Sequence, residues 1–328
     1  MFNGKKIAAA VIISILFFFI SVVIYFKQFH LNESSIDITN LDSEQIMPWG
    51  VSSINAPALW ARGITGKGIK IGIMDSGIYF GHPEFSRNLK QGINILNPSE
   101  LPLDDFGHGT FVAGVIAANN NNYGVVGASF GAEIYPIKVL DKDGFGRIND
   151  IVEGIEWCIQ NDINIINMSF AINEDNESFH SAIKKATEAG IIIVASASNS
   201  YGGEVGYPAS YDEVISVTSV NKKMEIDKKA PRGKVDFSAP GVDIISTSSN
   251  GDYSNLSGNS YAAPHITGII ALLMEYRKNI GMPNDRSNLL NEIKKMTRDL
   301  GNKGLDKTYG NGFVILNEDH FPNGGIKR

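Results

Sequence analysis

The chain of 328 residues carries a formal net charge of -6 and a pI near 5.6, with 43% hydrophobic residues and 34 glycines. That composition can bury one large core or two modest ones, and it excludes both a disordered polymer and a collagen-like repeat. No long basic stripe offsets the acidic average, so a nucleic-acid partner is not expected.

At the N-terminus, Ile7 to Phe26 form 20 consecutive uncharged residues between Lys6 and Lys27. A helix of that length crosses a hydrocarbon core, so residues 1–27 read as a transmembrane anchor or uncleaved signal. The apolar run exceeds the roughly 7 to 15 residues of a cleaved secretory signal, and no A-x-A-like site follows it. Lys5 and Lys6 precede the span, whereas Glu33, Asp37, Asp42 and Glu44 crowd the stretch after Lys27. The positive-inside rule then leaves residues 28–328 outside. The expectation is a single-pass protein of the cell membrane, held through residues 7–26, with its working part extracellular, or secreted if the N-terminal segment is cleaved. Residues 28–44 read as a polar linker, 45–318 as one α/β domain and 319–328 as a tail; a monomer is expected.

Beyond the linker, short β-branched runs alternate with helical periods. "IKIGIM" (69–74), "AEIYPIKVL" (132–140), "INIINMSF" (163–170), "GIIIVASAS" (190–198), "VISVTSV" (214–220) and "VDIIST" (242–247) read as strands. "INDIVEGIEWCIQN" and "SFHSAIKKATEAG" read as helices, the second closed by Gly190. The apolar run "ITGIIALLMEY" after Ser260 reads as a longer one. Strand, helix and strand in succession imply right-handed crossovers, hence a mostly parallel, doubly wound sheet with helices on both faces. Cys158 is the only cysteine, which permits no internal disulfide. It shares a helical face with Ile151 and Ile155 and is expected in the core. A basic cluster, Lys222, Lys223, Lys228, Lys229, Arg232 and Lys234, is interrupted by Glu225 and Asp227 and reads as a solvated loop. No strand leads into G-x-G-x-x-G, which speaks against a nucleotide enzyme of Rossmann type.

In an open α/β sheet the ligand site lies beyond the carboxyl ends of the strands. Four residues stand out on that basis. Asp75 ends "IKIGIMDSGI", His108 sits between glycines in "DDFGHGTFVAGVIAA" where a helix begins, Asn199 follows "IIIVASAS", and Ser260 precedes the long apolar helix. Singly, each has an ordinary role as a turn former, cap or packing residue. Together, an Asp, a His and a Ser can form a nucleophile, the base that takes its proton and a carboxylate that orients the base.

Chain order and local sequence give that constellation a family. "MDSGI", "GHGTFVAG", "GASFGAEIYPIKVLDKDG", "IINMSF", "VASASN", "FSAPGVDIIST" and "SGNSYAAPHITGIIALL" resemble the successive signatures of the subtilisin-like serine proteases, whose triad runs in the order Asp, His, Ser. The resemblance extends from about Pro48 to the low 270s. It implies a serine endopeptidase in which Ser260 attacks, His108 is the general base, Asp75 orients it, and the Asn199 amide joins the Ser260 N–H in holding the oxyanion. A helix start suits Ser260, because unpaired N–H groups there favour negative charge. The same resemblance makes Ser169, Phe170 and Ala171 the substrate-binding strand and Gly144, Phe145 and Gly146 the opposing edge, where a peptide adds as a strand. It also implies a structural calcium ion, held by the side chains of Gln45, Glu84 and Asn121 and the carbonyls of Asn119, Tyr123 and Val125. Calcium takes about six to eight oxygens, and this set supplies that number.

The chain departs from the family pattern in places. Asn259 and Tyr261 flank the nucleophile where threonine and methionine are common, Phe111 replaces a frequent histidine, and Glu84 stands where aspartate is usual. Ala171, Ile172 and Ser198 occupy positions often held by glycine, and their side chains are expected to narrow the primary pocket. Selective processing of an exported peptide or protein follows as the expectation. Only 21 residues, Lys27 to Met47, separate the apolar span from Pro48, too few for the folding prodomain usual in secreted subtilisins. Small anchored subtilases of this kind resemble those that trim leader segments from exported peptides, lanthionine-type bacteriocin precursors among them. The alternative is a catalytically silent subtilase serving as a binding or scaffold protein.

Overall fold

Isoleucine, valine and threonine fit a pleated surface, and the runs rich in them form the centre of a nine-stranded sheet. The computed structural model describes residues 44–321. The predicted membrane span at 7–26, residues 28–43 of the linker and the end of the tail lie outside the described residues. Among the described residues, no helix is long and apolar enough to cross a membrane.

The strands in chain order are β1 (Lys70–Asp75), β2 (Ile93–Asn94), β3 (Glu133–Lys138), β4 (Ile165–Met168), β5 (Ile192–Ser196), β6 (Ile215–Val220), β7 (Phe237–Pro240), β8 (Ile244–Thr247), β9 (Tyr253–Leu256), β10 (Thr297–Arg298) and β11 (Phe313–Val314). The main sheet runs β10-β11-β7-β6-β5-β4-β1-β3-β2, parallel at every pairing but that of β10 with β11. Its helices are α1 (Trp49–Ser53), α2 (Pro57–Trp60), α3 (His108–Ala117), α4 (Ile148–Gln160), α5 (Glu177–Glu188), α6 (Ala263–Asn279) and α7 (Arg286–Lys295). Alternation along the strands divides the core. Ile71, Ile73, Ile165, Ile192 and Val194 pack with α3 and α6. Met74, Ile166, Met168, Ile193 and Ala195 pack with Ile151, Ile155 and Cys158 of α4 and Phe179 and Ile183 of α5. Cys158 is therefore the core residue its periodicity implied, and burial pushes its thiol well above the ordinary range.

The parallel α/β architecture matches the expectation, with one element reassigned. "VDIIST" does form a strand, but β8 pairs antiparallel with β9 in a separate two-stranded sheet. In the segment read as a tail, Phe321 is fully buried and meets Tyr276 edge-on at 5.0 Å.

The helix α6 is buried from Ala263 through Arg277 and carries a charge into the interior. One carboxylate oxygen of Glu275, which is 6% exposed, accepts the N–H groups of Thr65, Gly66 and Lys67 at 2.7, 2.6 and 2.9 Å. This knot ties the loop before β1 to the helix that begins beside Ser260. Glu275→Ala leaves three backbone donors without their acceptor, and it is expected to lower the free energy of urea unfolding by at least about 2 kcal/mol, with Glu275→Gln costing less. Equal stability of the alanine variant and the parent would contradict this.

Candidate active site

Asp75 closes β1, and its carboxylate has no exposure to solvent. A buried charge needs donors, and it has them: His108 Nδ1 lies 2.9 Å from each carboxylate oxygen, and Ser76 N–H donates to Oδ1 at 2.8 Å. The approach of α3 to this strand end depends on glycine. A Cβ on Gly109 would sit 2.1 Å from the Gly77 carbonyl oxygen, and Gly107 precedes His108 at a φ of +99°.

Asp104 holds the loop in that shape. Its Oδ1 accepts from the Ser76 hydroxyl at 2.8 Å and from the N–H groups of Phe106 and Gly107 at 3.1 and 2.7 Å. Its Oδ2 accepts from Thr110 N–H at 2.8 Å and from the Thr110 hydroxyl. The carboxylate thus satisfies a donor in the first turn of α3, where negative charge is favoured. On the other side, Lys138 Nζ donates to the Ser76 carbonyl at 2.6 Å and pairs with Asp105. Burial works to lower the His108 pKa, but the charge and hydrogen bond of Asp75 and the charge of Asp104 outweigh it, so His108 sits above the ordinary 6.5.

Ser260 lies in a single 3-10 turn, Asn259–Tyr261, directly before α6. Its carbonyl accepts the Ser169 hydroxyl at 2.8 Å. Ser169 in turn accepts from Asn167 Nδ2 at 2.9 Å, and Asn167 Oδ1 accepts the Thr267 hydroxyl of α6 at 2.8 Å. The Tyr261 ring stands 5.6 Å from His108 and 4.5 Å from Phe111, so two of the departures from the family pattern pack on each other.

His108, Asn199 and Ser260 line one cavity of about 480 Å³, together with Phe106, Leu140, Gly144, Ser169, Phe170, Ala171, Asn173, Ser196, Ser198 and Ser200. Of the predicted substrate residues, Gly144, Ser169, Phe170 and Ala171 reach it. Phe145 and Gly146 are not in its lining, and Phe145 is 72% exposed. The Ser169 hydroxyl is committed to the Ser260 carbonyl, and the residue is 1% exposed. Ile172 is not in the lining either: it bonds Tyr207 backbone to backbone and packs against the core. Phe106 and Leu140 were not singled out in the sequence. For Phe106 the signal was an aromatic residue in the polar segment just before Gly107 and His108, and it is 47% exposed. A larger hollow of about 630 Å³, lined by Ile93, Trp157 and Glu153 among others, lies beside α4 and contains none of the four singled-out residues.

The residues predicted to hold calcium also come together. Gln45 Nε2 lies 2.8 Å from Asn119 O, 3.2 Å from Asn121 Oδ1, 3.1 Å from Tyr123 O and 3.2 Å from Val125 O. Glu84, fully buried, accepts from Tyr253 OH at 2.8 Å, Val125 N–H at 3.0 Å and Asn121 Nδ2 at 2.9 Å. Burial pushes its carboxyl up to about 7 against the pull of these three donors. Among the described residues no cluster of three His, Cys, Asp or Glu side chains could hold a metal, and Glu84 is the single carboxylate among the residues predicted as ligands.

A buried Asp–His pair at the carboxyl end of a parallel sheet, opening on a cleft with a serine at a helix start, is the arrangement of a serine hydrolase on an α/β scaffold. Residues 66–312 match the Subtilase family (Peptidase S8), and the chain belongs to it. It is 37% identical to the minor extracellular protease Epr of Bacillus subtilis over 274 residues, which cover 83% of this chain and 41% of that protein. Identity is 35% with the M-protease of Shouchella clausii, covering 86% and 71%, and 36% with subtilisin BL of Lederbergia lenta, covering 82% and 97%. The chain thus spans less than half the length of Epr but nearly all of subtilisin BL. It is a subtilisin-like serine endopeptidase.

In an NMR titration the His108 ring is expected to titrate above 6.5 in the wild type and lower in Asp75→Asn, which removes the charge facing the imidazolium. An unmoved value in the variant would show that Asp75 does not set it.

Proposed function

We propose that the protein hydrolyses peptide bonds of exported peptides or proteins at the outer face of the cell membrane, with Ser260 as nucleophile. The supporting observation is that the imidazole held by Asp75 lines the same cavity as Ser260 and Asn199. With its Nδ1–H donated to Asp75, His108 presents an unprotonated Nε2 to take the Ser260 proton as Oγ attacks the carbonyl carbon. The carbonyl electron pair moves onto oxygen, where Ser260 N–H and Asn199 Nδ2 receive it. His108 then passes the proton to the leaving amine as the C–N bond breaks, and water releases the acyl group by the same steps. Asp75 orients the ring and faces the imidazolium without taking the proton. His108 must be neutral to start the cycle, so activity falls as pH drops through its raised pKa.

The substrate lies extended between the 144–146 edge and the 169–171 strand. Selectivity is favoured by the side chains of Ala171 and Ser198, both of which line the cavity. Residues 7–26 anchor the chain, and the catalytic domain is extracellular, as the name of the relative Epr says of that protease. Leader segments of exported peptides, lanthionine-type precursors included, are the proposed substrates.

Calcium is the proposed structural ion, with Gln45, Glu84, Asn121 and the carbonyls of residues 119, 123 and 125 as ligands. The fit rests on the four oxygens that surround Gln45 Nε2. An amide nitrogen has two hydrogens, too few for four acceptors, whereas a hard cation takes all of them. When bound, the ion supplies structural charge and no catalytic step.

A fluorophosphonate probe is expected to label the wild type and to fail on Ser260→Ala, and the labelled enzyme's unmodified counterpart should cut a peptide library at few residue types. Absence of labelling in the wild type would favour the scaffold alternative, and indiscriminate cutting would defeat selectivity. In calorimetry, a chelator should lower the melting temperature by several degrees, since about 2.7 kcal/mol attends an ion at a hundred times its Kd; an unchanged melting temperature would remove the ion.

A further inference from the structure

Asn259 immediately precedes the nucleophile and has no exposure to solvent. Its Oδ1 accepts from Ser219 N–H at 2.7 Å and from the Thr218 hydroxyl at 3.2 Å, both on β6. Its Nδ2 donates to the Ser198 carbonyl at 2.6 Å and to Asn199 Oδ1 at 3.1 Å. The Asn259 backbone N–H donates to that same Asn199 oxygen at 3.2 Å.

The direction of every one of these bonds is forced. Ser219 N–H can only donate, so the end of the Asn259 amide that meets it is oxygen. The nitrogen end then faces Ser198 O and Asn199. Asn199 is met there by two donors, one of them a backbone N–H, so it presents oxygen and turns its own nitrogen away from Asn259. The β6 backbone, acting through the buried Asn259 side chain, and the Asn259 N–H together thus fix which end of the Asn199 carboxamide is left for the cavity it lines. The same Nδ2 holds the carbonyl of Ser198, whose φ of +96° is a conformation that a residue with a Cβ rarely adopts.

We infer that Asn259 is the positioning residue that sets the direction of the Asn199 carboxamide, and with it the second oxyanion donor. The inference rests on the reading of Asn199 as that donor. Amide pairing of this kind needs a side chain with an acceptor and a donor at its two ends. Aspartate has the right shape and the wrong chemistry, because its second oxygen would face two acceptors.

The test is a double-mutant comparison of kcat and KM on a chromogenic peptide, using Asn259→Asp, Asn199→Ala and both together. Asn199→Ala should lower kcat by about 10²- to 10³-fold, a range set by subtilisin itself. Asn259→Asp should lower kcat by at least about tenfold with KM within about twofold, the split expected for an interaction made in the transition state. In the Asn199→Ala background the same aspartate should change kcat by less than about twofold. An equal loss in both backgrounds would overturn the inference and leave Asn199 in its role. If Asn199→Ala keeps full kcat, the donor reading falls and the inference with it. Should Asn259→Asp fail to reach the wild-type melting temperature, Asn259→Ser carries the same comparison with a smaller group, and an equal loss in both backgrounds overturns the inference there too.

Discussion

A carboxylate with no exposure stands at the end of β1, and the geometry around it follows from that one burial. Taking such a charge out of water costs several kcal/mol unless donors meet it. The donors available at this strand end are the Ser76 N–H and the His108 ring, and both lie within 2.9 Å of the carboxylate oxygens. Once Nδ1 is committed to Asp75, the orientation of the imidazole is no longer adjustable. Its remaining nitrogen belongs to the cleft.

Holding the ring in place then becomes a matter of backbone. Asp104 gathers donors from Ser76, Phe106, Gly107 and Thr110, so the residue beside Asp75 and the first turn of α3 are tied to a single carboxylate. Gly109 lets that turn approach the Gly77 carbonyl, which any Cβ would block. On the other side of the cleft, Thr267, Asn167 and Ser169 carry a hydrogen-bonded chain from α6 to the Ser260 carbonyl. Three separate elements therefore bring their groups to one cavity, each fixed by polar contacts that leave little rotational freedom. Such a supporting shell is what holds a reactive group within the tolerance catalysis requires.

Sequence pattern revealed the parallel core because β1, β3, β4, β5 and β6 are β-branched runs of four to six residues, long enough for composition to speak. The two-residue strands β2, β10 and β11 have no period to detect, and their pairing is a tertiary outcome. The strand β8 was legible as a strand while its partner was not, since nothing local distinguishes a seat in the main sheet from one in a hairpin with β9. Asp75, His108, Asn199 and Ser260 were legible because each stands at the end of a patterned element. Asp104 was not: its importance lies in five donors contributed by four residues, which only the folded loop assembles. Ser169 shows the converse, a residue that reaches the cavity but whose hydroxyl is taken up by the Ser260 carbonyl.

The proposed ion site bears on how the described chain begins. Ile46 N–H donates to the Gly124 carbonyl at 2.8 Å and Ile46 pairs in parallel with Val125, so the first described residues lie on the 119–125 loop as a short added strand. That contact is small, and Gln45 beside it has more acceptors around its nitrogen than it has hydrogens. An ion shared by Gln45, Glu84 and the loop would join three segments far apart in sequence, and closing such separations costs chain entropy that a native-state ligand can offset. Glu84 makes the same point from the acidic side. It is buried with three neutral donors, and burial holds its carboxyl near 7; a cation bound beside it would favour the charged form.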